Sequence, residues 1–256
     1  MKLRRGGEGL WALLYPRAAN CLCCNDPRRA ALEDCLCPDC REALIRLRIP
    51  PESCDRCLSP VKRGEPCRFC QSPVMAPLQA VYAPYRYAGQ ARELIHAFKF
   101  QSCDEALPIL CREMARALAR RDFDCIVPVP LHPKRLKRRG FNQAERLANG
   151  LSCEVGIPTV DLLRRDRYRR PQSRTPGKDR RQNVEGAFSC RGDVKNLRIL
   201  LLDDVRTTGS TAWACADALM KAGAKCVALC VCAVVYRRQR GGNLANSAKF
   251  DYNKQE

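Results

Sequence analysis

The sequence predicts an α/β protein: a parallel sheet flanked by helices, preceded by a small cysteine-rich module. Three observations predict it. Four Cys-x-x-Cys pairs lie before residue 71. After residue 76, short apolar runs suited to buried strands alternate with stripes of helical period. Hydrophobic residues make up 46% and charged residues 29% of the 256, ordinary globular usage that excludes wholesale disorder. Strands alternating with helices imply parallel pairing with both faces covered, and ligands of such sheets bind beyond the carboxyl ends of the strands.

The chain carries a formal net charge of +19 and 19 cysteines. A charge this positive points to polyanionic partners such as nucleic acid, phosphate-rich small molecules or anionic surfaces. The longest uncharged apolar stretch, Cys226 to Tyr236, has 11 residues. A spanning helix needs about 20, so no membrane span is expected. The apolar patch Leu10 to Tyr15 is six residues long, short of the h-region of a signal peptide. A cytoplasmic location is therefore expected. There, regularly spaced cysteines are more often metal ligands than disulfides.

The first module, residues 1–75, holds the pairs Cys21/Cys24, Cys37/Cys40, Cys54/Cys57 and Cys67/Cys70. Zinc takes four tetrahedral ligands and accepts thiolate readily. Two structural Zn²⁺ sites in sequential pairing are expected, although an interleaved arrangement uses the same ligands, and disulfides or free thiols are the alternative. The module contains no His and leaves no open coordination position, so the metals read as structural. Cys23 and Cys35 are spare. Thirteen Lys/Arg against nine Asp/Glu give residues 1–75 a formal +4. Eight thiolates and two Zn²⁺ would bring the module close to neutrality.

Pro73, Pro77 and Pro84 suggest an extended connector into a second domain, residues 76–238. Leu107, Leu110, Cys111, Met114 and Leu118 recur at helical spacing over about 105–120. Cys125 to Val129 reads as a buried strand. Ala144, Leu147, Ala148 and Leu151 mark the next helix, and Arg198 to Leu202 the next strand. Ala212, Cys215, Ala216, Leu219 and Met220 form another helical stripe, with Gly223 placed to stop it. Cys226 to Val235 is a further strand. Cys111, Cys215 and Cys226 read as small buried hydrophobes. The tail 239–256 is aperiodic and expected to be disordered.

The most specific signal is the run from Ile199 through Asp203-Asp204-Val-Arg-Thr207-Thr208-Gly209-Ser210-Thr211. An apolar strand ends in two acids, and a short hydroxyl-rich loop around a glycine then enters a helix. Loop amides and a helix N-terminus make an anion site. Gly209 allows a tight turn and close approach of the backbone to a phosphate. The acids would meet sugar hydroxyls or Mg²⁺. Ser and Thr are favoured at helix N-caps in any case, but the whole string exceeds what a cap requires.

Residues 199–211 resemble the phosphoribosyl-pyrophosphate (PRPP) signature of type I phosphoribosyltransferases. With the four Cys-x-x-Cys pairs come Tyr87-Ala-Gly, Phe98-Lys99-Phe100, Val127-Pro-Val-Pro-Leu, Arg139-Gly-Phe-Asn-Gln143 and Arg181-Gln-Asn-Val-Glu-Gly-Ala-Phe188. Together they resemble the ComF/GntX family from about residue 10 to 236. The resemblance implies a type I phosphoribosyltransferase-like fold with an N-terminal zinc finger, and PRPP or a nucleotide as ligand with Mg²⁺. It implies that Asp203 and Asp204 meet the ribose hydroxyls and that Thr207, Thr208, Gly209, Ser210 and Thr211 hold the 5′-phosphate. Arg139 and Gly140 would sit where relatives bind pyrophosphate. Arg206 stands where the family usually has an aliphatic or aromatic residue, and Ser210 where it has Ala. Arg206 could add positive charge to the site.

Residues 132–181 carry 15 Lys/Arg and five Asp/Glu. These loops read as a solvated face, as neutralisers of a pyrophosphate leaving group, or as a track for single-stranded nucleic acid. The stretch 164–180 reads as a flap over the site. Lys99 is a phosphate ligand or a surface lysine with a buried stem. His96 and His132 read as structural. Two functions are open: a phosphoribosyltransferase (a glycosyltransferase) acting on PRPP, and a competence accessory protein that binds single-stranded DNA beside the DNA-uptake machinery.

Overall fold

The structure is a computed structural model, and it describes residues 20–26, 35–62, 64–100, 104–118, 122–131, 136–137, 140–165 and 186–236. The expected disordered tail and most of the expected flap lie outside these residues.

Five helices and seven strands are named here in chain order among the described residues. Helix α1 is Pro38–Arg46; strands β1 and β2 are Val81–Tyr82 and Tyr85–Arg86; helices α2 and α3 are Gly89–Phe100 and Ala106–Ala117. Strand β3 is Cys125–Pro128, helix α4 Gln143–Val155, and strands β4 and β5 are Leu163–Arg165 and Phe188–Cys190. Strand β6 is Arg198–Arg206, helix α5 Ser210–Lys221 and strand β7 Cys226–Val234.

The main sheet runs β1-β7-β6-β3, with β2 also on β7, and every pairing in it is parallel. β6 and β7 form its centre. From Ile199 to Leu202 and from Val227 to Val234 every residue is buried. A continuous apolar run, rather than an alternating one, is what burial on both faces demands. This bears out the expected α/β class with a parallel sheet.

Local chemistry sets the helix ends. Asn142 caps α4 by accepting from the Ala144 N–H at 3.1 Å, and Gly156 ends it in the left-handed conformation at φ 74°. Gly223 (φ +100°) ends α5, as its sequence position suggested; its N–H donates to Met220 O while Ala224 donates to Leu219 O. The helix expected over 105–120 is shorter, because Leu118 is already extended at ψ 94°.

Two corrections matter for the site. The strand expected to stop at Leu202 continues to Arg206, because β7 goes on pairing with it: Asp203 opposite Val231, Val205 opposite Ala233, Arg206 opposite Val234. The two acids therefore lie within a strand. Arg164 and Arg165, read as the start of a flap, belong to β4, which pairs antiparallel with β5.

The cysteine module and the sheet share one apolar core, from Cys21 to Val234. The proline connector is a 3₁₀ turn at Pro73–Met75 followed by the two edge strands. The module's backbone bonds directly to that edge: Val81 N–H donates to Arg56 O, Arg86 to Leu47 O, and Ile49 to Pro84 O.

Helices α3 and α4 touch at Gly150, where a Cβ would lie 2.5 Å from the Sγ of buried Cys111. In an open helix Gly→Ala stabilises by up to about 1 kcal/mol. Here the clash outweighs that gain, and Gly150→Ala is expected to destabilise the chain by about 1–3 kcal/mol. Adding Cys111→Ala is expected to remove most of the loss. Urea denaturation of the single and double variants measures both, and an unharmed single variant refutes the packing argument.

Candidate functional site

The carboxyl end of β6 turns sharply into α5. Gly209 makes the turn, at φ 77° and ψ 0°, a conformation glycine adopts without a Cβ penalty. The hydroxyl of Thr208 lies 3.0 Å from that of Ser210 and accepts from the Ser210 N–H at 3.3 Å. Among the described residues, nothing accepts from the N–H groups of Thr207, Thr208, Gly209 or Thr211. An open hollow of about 280 Å³ is lined by Asp203, Val205, Arg206, Thr207 to Ala212, Leu229 and Val231. Backbone donors, two further threonine hydroxyls and the positive end of a twelve-residue helix converge on it.

Strand alternation separates the two acids. Asp203 lines the hollow and accepts the Asp204 N–H at 2.8 Å. Asp204 pairs with the Lys99 ammonium of α2 at 2.7 Å, and that lysine side chain is only 9% exposed. Burial and the neighbouring Asp204 charge push the Asp203 carboxyl up to about 7. The Asp204 N–H bond and the charges of Lys99 and Arg165 oppose that rise. Lys99 is thus neither of the two things expected of it alone: it is a nearly buried partner of the second acid. Arg165 is a residue sequence reasoning missed, its guanidinium stacked over Phe188 at 5.3 Å. The double arginine was visible in the chain, but strand β4, which carries Arg165 toward Asp203, was not.

Arg206 is placed differently from the expectation. Its guanidinium stands 4.7 Å over the ring of Phe69, between the last two cysteines of the module. It is 3% exposed, and burial pulls its pKa down. Gly140 forms a turn at φ 78°, its N–H donating to Leu136 O. Arg139 and His132 lie outside the described residues.

The eight cysteines form two clusters, Cys21/Cys24/Cys37/Cys40 and Cys54/Cys57/Cys67/Cys70, the ligand atoms of each within 4.8 Å of one another. Sulfurs on a tetrahedral Zn²⁺ with bonds of about 2.3 Å lie roughly 3.8 Å apart. The measured separations are 3.9 Å for Cys24–Cys37, 3.6 Å for Cys54–Cys70 and 3.4 Å for Cys57–Cys67. These match a tetrahedron and are far beyond the roughly 2.05 Å of a disulfide. The pairing is sequential, and the clusters could hold zinc. Cys37 caps α1, its sulfur accepting from Cys40 N–H while its own N–H donates to Cys21 Sγ at 3.3 Å. Burial alone would raise the Cys21 thiol, but backbone N–H bonds from Cys37, Cys24 and Cys23 bring it down to about 7. The Cys24 and Cys40 thiols are raised, Cys40 by burial first, so the charge of the cluster is concentrated on Cys21.

The parallel sheet, the glycine turn and the clustered cysteines define a phosphoribosyltransferase-type domain joined to a metal-binding module. The phosphoribosyl transferase domain family model matches residues 135–252. DNA utilization protein YhgH of Salmonella typhimurium is 32% identical over 208 residues, 77% of this chain and 89% of that protein. Competence protein F of Haemophilus influenzae is 37% identical over 141 residues, covering 51% of this chain and 62% of the relative. A purine phosphoribosyltransferase from Pyrococcus horikoshii is 22% identical with a TM-score of 0.32, over 50% of this chain and 73% of its own. The chain belongs to the ComF family. No described helix is long and apolar enough to cross a membrane.

The raised Asp203 pKa has a signed consequence. The ordinary carboxyl loses its proton near 3.8 and the folded one near 7. Between these values the folded state holds more protons than the unfolded, so stability falls as pH rises. Relative to Asp203→Asn, the unmodified chain is expected to lose stability from about pH 4 to about pH 7. Chemical denaturation across that window measures the difference, and a difference that stays flat contradicts the placement of Asp203.

Proposed function

We propose that the chain binds PRPP or a related ribose 5-phosphate through the loop Thr207–Thr211. The observation that supports this most is the set of four unengaged backbone N–H groups around Gly209 at the start of α5. A phosphate there would accept from the loop amides and from the hydroxyls of Thr207 and Thr211. Asp203, on the same hollow, would accept from a ribose hydroxyl. Mg²⁺, carried on the diphosphate, would neutralise charge on the ligand when bound. Lys99 holds the Asp204 carboxylate in place through its ion pair.

In a transferase, the bond from ribose C1 to the pyrophosphate oxygen breaks, pyrophosphate departs with the electron pair, and a nucleophile bonds to C1. Positive charge develops on the ribose ring, where Asp203, on the hollow, would stabilise it, and the acid at position 204 would add to the field. The basic residues of 132–181 would meet the leaving pyrophosphate. Isothermal calorimetry with PRPP, with and without Mg²⁺, is expected to show binding that Asp204→Asn weakens. Since Asp203 titrates near 7, binding of a charged ligand beside it is expected to change its protonation, seen as a buffer-dependent enthalpy. No binding by the unmodified chain would refute the reading.

The names of the relatives support a second role, in competence or DNA utilization. The 15 Lys/Arg against five Asp/Glu in residues 132–181 are a run of positive charge suited to single-stranded DNA. Binding of an oligonucleotide is then expected to weaken steeply with salt, as released counterions require. Fluorescence anisotropy at rising ionic strength checks this, and salt-independent or absent binding counts against it. Both roles are compatible with a cytoplasmic protein.

A further inference from the structure

Arg206 is a buried cation with no ion-paired carboxylate among the described residues. Its side chain is fully packed, and Nε and Nη2 have no hydrogen-bond partner among the described residues. An uncompensated charge in such a place is strongly unfavourable. Its surroundings belong to the second cysteine cluster. The ring under the guanidinium is Phe69, between Cys67 and Cys70, and the groups whose charge acts favourably on it are Cys57, Cys67 and Cys70 with Tyr236. The hydroxyl of Tyr236 is itself 2.6 Å from that of Ser53, next to Cys54. The first cluster meets a different part of the fold. It docks instead through Cys23, whose thiol reaches Gln90 O at 3.5 Å.

Four thiolates around one divalent cation carry a formal charge of −2. A loaded second cluster is therefore the anion that the environment of Arg206 lacks. We propose that Arg206 is the counter-cation of the second cluster, a positioning residue that raises its metal affinity from across the interface with the sheet. This goes beyond the phosphoribosyl reading and does not need it, since the claim concerns metal held by Cys54, Cys57, Cys67 and Cys70. It also gives a reason for an arginine where the resemblance leads one to expect an aliphatic or aromatic side chain.

The test uses the full chain loaded with zinc, and follows metal released into a chromogenic chelator. The unmodified chain is expected to hold two zinc ions. In Arg206→Met, which keeps the packing on Phe69 and removes the charge, one of the two is expected to bind roughly 10–100-fold more weakly, the usual effect of losing a group just outside the ligands. The other is expected to be unchanged. Arg206→Lys, which keeps the charge, is expected to restore most of the affinity. If the Met variant does not fold, Arg206→Gln supplies the same comparison. Two zinc ions released alike from the neutral variant and the unmodified chain would overturn the role of Arg206 alone. A chain that takes up no zinc would overturn the metal reading and this proposal with it.

Discussion

The molecule is organised by the unbroken pairing of β6 and β7. β6 pairs with β7 along its length and with β3 over Ile199–Leu202, where it is buried on both faces. A strand so enclosed has no room for a gradual exit at its carboxyl end. The chain must reverse at once, and the left-handed conformation of Gly209 is how it does so. The reversal leaves a row of N–H groups at the start of α5 facing outward. The row of open donors is thus a by-product of ending a central parallel strand in a tight turn, and any selectivity for a ligand must come from what surrounds the turn.

What surrounds it is an arrangement of charges in low-dielectric surroundings. The long strand sets Asp203 and Asp204 on opposite sides of the sheet, and each side supplies its own cation. Lys99 of α2 meets Asp204 directly, while Arg165 of β4 acts on Asp203 from the other side. Burial and the Asp204 charge raise the proton affinity of Asp203. One acid is tied into an ion pair as part of the scaffold, and its neighbour is left responsive to whatever enters the hollow. The strongly positive chain therefore presents a locally acidic strand end beneath a ring of donors, a combination suited to a ligand with both a phosphate and a sugar.

The parts of this arrangement that follow from short-range patterns were legible in the sequence. The apolar runs of β3, β6 and β7, the stripes of α3, α4 and α5, and Gly209 and Gly223 are each set by neighbours a few residues away. So was the sequential grouping of cysteines, because a Cys-x-x-Cys turn presents both sulfurs to one point. Strands β1 and β2 escaped because two-residue edge strands carry no periodicity. β4 escaped because Arg164-Arg165 reads as solvated loop until Phe188 covers it. The end of β6 was misplaced because polar residues in a strand look like a loop when the partner strand is unknown. Lys99 and Arg206 are the same case: a side chain's partner across the fold has no trace in its own neighbourhood.

The two cysteine clusters, alike in sequence, stand in different relation to the site. The first packs through α1 and Cys23 against the start of α2. The second lies at the carboxyl ends of β6 and β7, joined to them by Arg206 over Phe69 and by Ser53 with Tyr236, while Arg56 ties it to the connector by donating to the carbonyls of Met75 and Leu78. Arg206 is the residue immediately before the Thr207–Thr211 loop, and its carbonyl accepts from Val235 just beyond β7. The second cluster thus stands one side chain from that loop, whereas the first meets α2 near its start, at Gln90, with Lys99 close to the other end of the helix.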